Sequence, residues 1–217
     1  MLALYHNDMS LCAQKVRLCL AEKQLDWEDR HIVLRSGEHQ KPWYRQLNRR
    51  AVVPTLIHDA SAAIISFAIA FRHQYLEKGE LGKQMLNSIP NIFKRERRAD
   101  VIAKGTESQH FMIAVQRMVQ LLDEMEESLS TQEWLAGSSY TLADVAFTPY
   151  LARLEHLNIL DMVGERTSVS KWHGRCKSRP SFAAAITKWE NPDYLTLMQR
   201  RGTEYRSKVQ QIIQILQ

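Results

Sequence analysis

Ser10 and Cys12 are the two side chains of this sequence best placed to do chemistry. They lie in the stretch YHNDMSLCAQKVR, residues 5–17. Before them, Leu2, Ala3, Leu4 and Tyr5 predict a short strand, and His6, Asn7 and Asp8 a polar turn. After them, Val16, Leu18, Cys19 and Leu20 follow helical spacing. A hydroxyl and a thiol at a helix start sit in the positive end of the helix dipole, beside backbone N–H groups that lack intrahelical partners. A thiolate is stabilised there. The arrangement suits activation of a bound thiol or direct use of Cys12. It equally suits a serine that finishes the turn and a cysteine that packs in the first helical turn.

The elements needed to position this pair follow an alternating order. Residues 2–5 predict a strand, 12–24 a helix and 27–34 a second strand. Residues 41–47 predict a short helix opened by Pro42, and 52–57 a third strand. This β-α-β-α-β order implies a small α/β sheet domain. From Phe67 onward the pattern is helical, with candidates at 67–78, 94–105, 108–130, 141–157, 168–178, 181–189 and 195–216. Met112, Val115, Met118, Val119, Leu122, Met125 and Leu129 recur at three- and four-residue steps, which predicts a buried helix face. The expected division is an α/β domain over residues 1–66 and an all-α domain over 67–217.

Composition narrows the classes. The chain has 217 residues, 45% of them hydrophobic and 24% charged, as in ordinary globular proteins. Its net charge of +5 is spread along helices with no basic–aromatic constellation, which argues against nucleic-acid binding. No apolar run approaches membrane-spanning length, and no secretory signal pattern opens the sequence. Three cysteines without CxxC spacing fit a reducing, cytoplasmic setting. His110, His156 and His173 show no metal-ligand spacing, so no metal site is expected.

Two further motifs accompany the Ser10–Cys12 helix start. Pro54, in Val53-Pro54-Thr55, enters a predicted strand and removes a ladder donor. A cis bond there would turn the backbone groups of Val53 outward to pair with a peptide-like ligand. In SSYTLADVAFTPYLARL, Thr141 and Asp144 form a capping-box pair, with Tyr140 and Val145 as a hydrophobic staple. Asp144 therefore reads as a cap rather than a catalytic carboxylate.

Taken together, these motifs resemble the cytosolic glutathione transferase family. Residues 2–58 resemble its thioredoxin-like domain and 108–192 its helical domain. SLCAQKVR is similar to the zeta-like and dehalogenase-like branches, and SIPN with RRADVIAKGTESQHF to branches that dehalogenate chlorinated hydroquinones. The resemblance implies an enzyme that activates glutathione, its co-substrate, for attack on a small electrophile, by conjugation or dehalogenation. It also implies a detoxifying, cytoplasmic homodimer. Ser10 matches the serine that donates a hydrogen bond to the glutathione sulfur. Cys12 matches the cysteine that forms a mixed disulfide in the dehalogenase-like branch, although Ala13 replaces that branch's next residue, a serine. Val53 and Pro54 match the backbone-binding strand. His39, Gln40 and Lys41 stand where the family often contacts the glycyl carboxylate.

The resemblance weakens between Asp59 and Ser66. One reading makes residues 62–64 the fourth strand, with Ser66 surviving from the dipeptide that holds the γ-glutamyl carboxylate. The favoured reading places FAIAFRHQYLEK in the first long helix of the helical domain, with the fourth strand and third helix missing. The segment is then either truly deleted or lost at a join across a gap. A non-catalytic binding or regulatory protein on the same fold is the alternative function, since fold alone does not establish activity.

Overall fold

The computed structural model describes residues 2–42, 44, 61–89 and 92–216. The chain opens with strand β1 (Leu2–His6), helix α1 (Leu11–Glu22) and strand β2 (Trp27–His31). The two strands pair in parallel, from Leu2 opposite Trp27 to His6 opposite His31. A parallel pair needs a crossover connection, and α1 supplies it. The β2 strand stops short of the expected residue 34. The N–H of Val33 is taken by the Glu38 carboxylate at 2.8 Å, outside any ladder. Two short 3₁₀ turns follow, Leu34–Ser36 and Glu38–Gln40, joined at Gly37 with φ of +73°. The third strand expected at 52–57 lies outside the described residues, as does most of the helix expected at 41–47.

The segment between the two domains corrects the fourth-strand reading. Residues 61–66 form helix α2 (Ser61–Ser66), not a strand. Its run continues through a π-helical turn, Phe67–Phe71, into α3 (His73–Glu77). Ala62, Ile65 and Ile69 are completely buried at steps of three and four, one helical face. That periodicity outweighs the β-branched content of the stretch. Residue 66, expected to close the first domain, therefore sits inside a helical run.

The remaining helices are α4 (Glu80–Asn87), α5 (Ile92–Lys104), α6 (Gln109–Thr131), α7 (Leu142–His156), α8 (Thr167–Lys177), α9 (Pro180–Ala185) and α10 (Pro192–Leu216). Helix α4 was not expected from the sequence. The methionine-rich stripe of α6 is core: Val115, Met118, Val119, Leu122, Met125 and Leu129 are buried, and Met112 is half-buried against them. Helices α2, α5, α8 and α10 all pack on α6. Gly202 of α10 meets the end of α7 so closely that a Cβ there would lie 1.5 Å from the Leu157 carbonyl oxygen.

Helix α7 begins with the expected capping box. Thr141 accepts from the N–H of Ala143, and the Asp144 carboxylate accepts from the N–H of Thr141. Asp144 is fully buried and accepts three more bonds, from Thr141 Oγ1 at 3.1 Å, from the N–H of Leu135 at 3.0 Å and from Trp172 Nε1 at 2.8 Å. One carboxylate thus joins the start of α7, the preceding loop and α8. Removing it would strand several buried donors, each of which carries a desolvation cost. Asp144→Ala is expected to lower the unfolding free energy by roughly 3 kcal/mol in urea titration. A loss below about 1 kcal/mol would show that the neighbouring donors find other partners.

Candidate active site

The Ser10 turn is held from several sides. Ser10 is the N-cap of α1, in extended backbone geometry, and its Oγ accepts from the N–H of Ala13 at 3.3 Å. That bond occupies an oxygen lone pair and leaves the hydroxyl hydrogen to donate elsewhere. Ser10 is half-buried.

Arg17, one helical face further on, is completely buried. Its Nε donates to the carbonyl of Ala185 at 2.7 Å, and its terminal nitrogens donate to the carbonyls of Asn7 at 3.2 Å and Asp8 at 2.8 Å. Its NH1 also meets His6 Nδ1 at 2.8 Å, while His6 Nε2 meets Asp29 at 2.5 Å. Burial lowers the Arg17 pKa to about 10, so the group remains a cation at neutral pH.

Arg153 grips the same turn from α7. It donates to the carbonyl of Met9 at 2.5 Å and to Ser66 Oγ at 3.4 Å. It too is buried, and desolvation lowers its pKa to about 10. Asn191, just before α10, completes the frame: its Nδ2 donates to the Asp8 carboxylate at 3.2 Å, and its N–H lies 3.4 Å from Met9 Sδ. Arg17, Arg153 and Asn191 were not singled out in the sequence. The available signal was an arginine inside an apolar helical run, as in Val16-Arg17-Leu18 and Ala152-Arg153-Leu154.

The expected site residues fall into four groups. Ser10 and Cys12 lie together on the first turn of α1. Ser66 is linked to that turn through Arg153. It is buried inside a helical run rather than at a helix start, and its hydroxyl donates to the Ala63 carbonyl at 3.2 Å. His39 and Gln40 line a cleft of about 1130 Å³ between the 3₁₀ turns and helices α2 to α5. Lys41 is exposed beside them and is not among the described lining residues. Val53 and Pro54 lie outside the described residues.

The Cys12 thiol is half-buried. Burial pushes its pKa above the ordinary 9.0, and the nearby Lys15 ammonium only partly opposes this. Lys15 itself is drawn to Tyr150, donating to its hydroxyl at 3.1 Å and lying 4.3 Å from its ring centre. Among the described residues, no group of three or more His, Cys, Asp or Glu side chains could hold a metal ion. No described helix is long and apolar enough to cross a membrane.

A parallel βαβ start, a capped helix that carries Ser10 and Cys12, and a helical domain that grips the preceding turn make up the candidate site. Residues 9–70 match the glutathione S-transferase N-terminal domain, and residues 87–180 match the C-terminal domain. The chain belongs to the glutathione S-transferase family and is a glutathione transferase-type enzyme. It is 27% identical to the tetrachloro-p-hydroquinone reductive dehalogenase of Sphingobium chlorophenolicum, over 84% of this chain and 94% of that one. It is 24% identical to the Arabidopsis thaliana glutathione S-transferase TCHQD, over 87% and 90% respectively. The dehalogenase alignment spans 239 positions, more than the 217 residues present here, so that relative carries insertions. Among solved structures, the β-etherase LigF of Sphingobium superposes with a TM-score of 0.70 at 15% identity, covering 86% of this chain and 97% of that one.

The raised thiol predicts the reactivity of the free protein. Alkylation requires the thiolate, so iodoacetamide labelling of Cys12 should be slow at neutral pH and accelerate up to and beyond pH 9. A rate already level at pH 7, followed by peptide mass spectrometry, would contradict the buried-thiol picture.

Proposed function

We propose that this enzyme activates glutathione with Ser10 and delivers the thiolate to a small electrophilic substrate. The observation that carries the reading is the Ser10 hydroxyl, whose oxygen accepts the N–H of Ala13 and whose hydrogen is left to donate. A hydrogen bond to a thiolate favours the charged form and lowers the thiol pKa. The glutathione thiol gives its proton to solvent, its sulfur bonds to the electrophilic carbon, and the leaving group departs with the bonding pair. Glutathione is the co-substrate. His39 and Gln40 on the cleft wall, with Lys41 beside them, hold the glycyl end. Val53 binds the cysteinyl backbone, with Pro54 fixing the shape, and Ser66 supports the site through Arg153.

Where the product is a dehalogenated carbon, Cys12 follows Ser10 in the sequence of steps. The Cys12 thiolate attacks the sulfur of the glutathione conjugate and forms a mixed disulfide, while the broken C–S bond leaves its electron pair on the carbon, which takes a proton from solvent. A second glutathione then reduces the disulfide. The raised Cys12 pKa favours Ser10, rather than Cys12, as the group acting first. The working form is a homodimer in the cytoplasm, with detoxification of electrophiles as its role.

Ser10→Ala is expected to lower kcat with glutathione and 1-chloro-2,4-dinitrobenzene by about 10- to 100-fold, the worth of one hydrogen bond to a charged group. Without that bond the bound thiol has a higher pKa, so the loss should be greatest at acidic pH and shrink as pH rises. An unchanged rate and pH profile would remove Ser10 from the mechanism. Cys12→Ser should leave this conjugation in place while abolishing the glutathione mixed disulfide seen by intact-mass spectrometry. If calorimetry detects no glutathione binding to the wild-type chain, the reading as a non-catalytic binding protein replaces this one.

A further inference from the structure

Lys15 is a buried cation to which the steps above give no task. It lies three residues after Cys12 on α1. On a helix, residues three apart stand side by side, with Cβ atoms roughly 5–6 Å apart. Helical side chains also lean toward the N-terminus, so a long stem at position 15 is directed toward the turn that carries Cys12.

Two contacts with one side chain fix the ammonium. It donates to the Tyr150 hydroxyl at 3.1 Å and stands 4.3 Å from the centre of the same ring. Tyr150 belongs to α7 and is itself buried, and Phe147 packs edge-on against it with 5.8 Å between ring centres. A hydroxyl and a ring face hold a cation without cancelling its charge. Burial keeps salt from screening that charge. The other cations of this region are turned elsewhere. Arg17 faces the carbonyls of Asn7, Asp8 and Ala185, and Arg153 faces the Met9 carbonyl and Ser66. Helix α9, which also packs on α1, reads PSFAAA and carries no charged side chain. The Lys15 ammonium favours ionisation of Cys12, against the burial that opposes it.

We propose that Lys15 is a positioning residue for Cys12: held by Tyr150 of the helical domain, its ammonium stabilises the Cys12 thiolate and sets the reactivity of that thiol toward glutathionyl sulfur. Its part in dehalogenation rests on the proposed function, whereas its control of the thiol is a property of the free chain. The reaction that reads it is thiol–disulfide exchange with oxidised glutathione. The Cys12 thiolate attacks one sulfur, the new S–S bond forms, and the other glutathione leaves as a thiolate with the bonding pair. Lys15 stabilises the attacking anion and takes no proton.

The test titrates alkylation of the full chain. Iodoacetamide labelling of the Cys12 peptide is followed by mass spectrometry from neutral to alkaline pH in wild type, Lys15→Met, Lys15→Arg and Tyr150→Phe. Lys15→Met should move the labelling midpoint to higher pH and slow labelling at pH 7 about three- to tenfold, because the rate follows the thiolate fraction. Lys15→Arg should restore most of the wild-type profile. Tyr150→Phe keeps the ring and removes the acceptor, so it should give a smaller shift in the same direction. A purely structural Lys15 predicts altered melting temperatures with one common midpoint, and that result overturns the proposal. If Lys15→Met does not fold, Tyr150→Phe decides, and an unshifted midpoint there overturns it. Mixed-disulfide formation with oxidised glutathione is followed by intact mass in the same preparations. A midpoint shift without any mixed disulfide rejects the Cys12 step of the proposed function and leaves the Lys15 assignment standing. Mixed disulfide formed at equal rates in all four proteins, with one midpoint, rejects the Lys15 assignment alone.

Discussion

A guanidinium removed from water must find acceptors, and the placement of Arg17 makes the rest of the site depend on that requirement. Its donors are met by carbonyls of Asn7 and Asp8 on the turn before Ser10, by His6 of β1 and by Ala185 of α9. None of these acceptors is a carboxylate, and three of the four are backbone carbonyls. Backbone carbonyls cannot change rotamer, so the turn is held in one shape. The Trp189 ring, 5.0 Å from the guanidinium, closes the remaining side. Ser10 inherits its position from this arrangement.

Arg153 repeats the logic from the other direction. Its bond to the Met9 carbonyl spans 144 residues of sequence. Two buried cations therefore flank the turn that precedes Ser10. Both keep their charge at neutral pH despite lowered pKa values. A site meant to hold a thiolate gains from such fixed positive charge, since it costs no reorganisation when the anion forms.

Much of this was legible in the sequence where the signal was local. The α1 start, the capping box of α7 and the buried stripe of α6 each rest on spacing within one element, and each is present. The family resemblance carried by Ser10, Cys12 and the TLAD motif agrees with the matched domains. What escaped was tertiary. Nothing near Arg17 or Arg153 in sequence announces acceptors 168 or 144 residues away. Residues 62–64 suited a strand by composition, yet the large face of α6 gave their neighbours a helical partner. The sequence left Cys12 open between an activated and a packed thiol, and the burial that raises its pKa comes from tertiary packing.

The grip of Asn191 on Asp8 has a consequence for how the molecule comes apart. The residue that opens the last helix bonds to the turn before Ser10, so the start of that helix is fastened to the start of α1. Fraying of that helix and loosening of the turn are then a single event. Local opening at the start of that helix should be felt as heterogeneity in the turn before Ser10. Selection on thiol reactivity therefore reaches side chains of the helical domain that never touch the thiol.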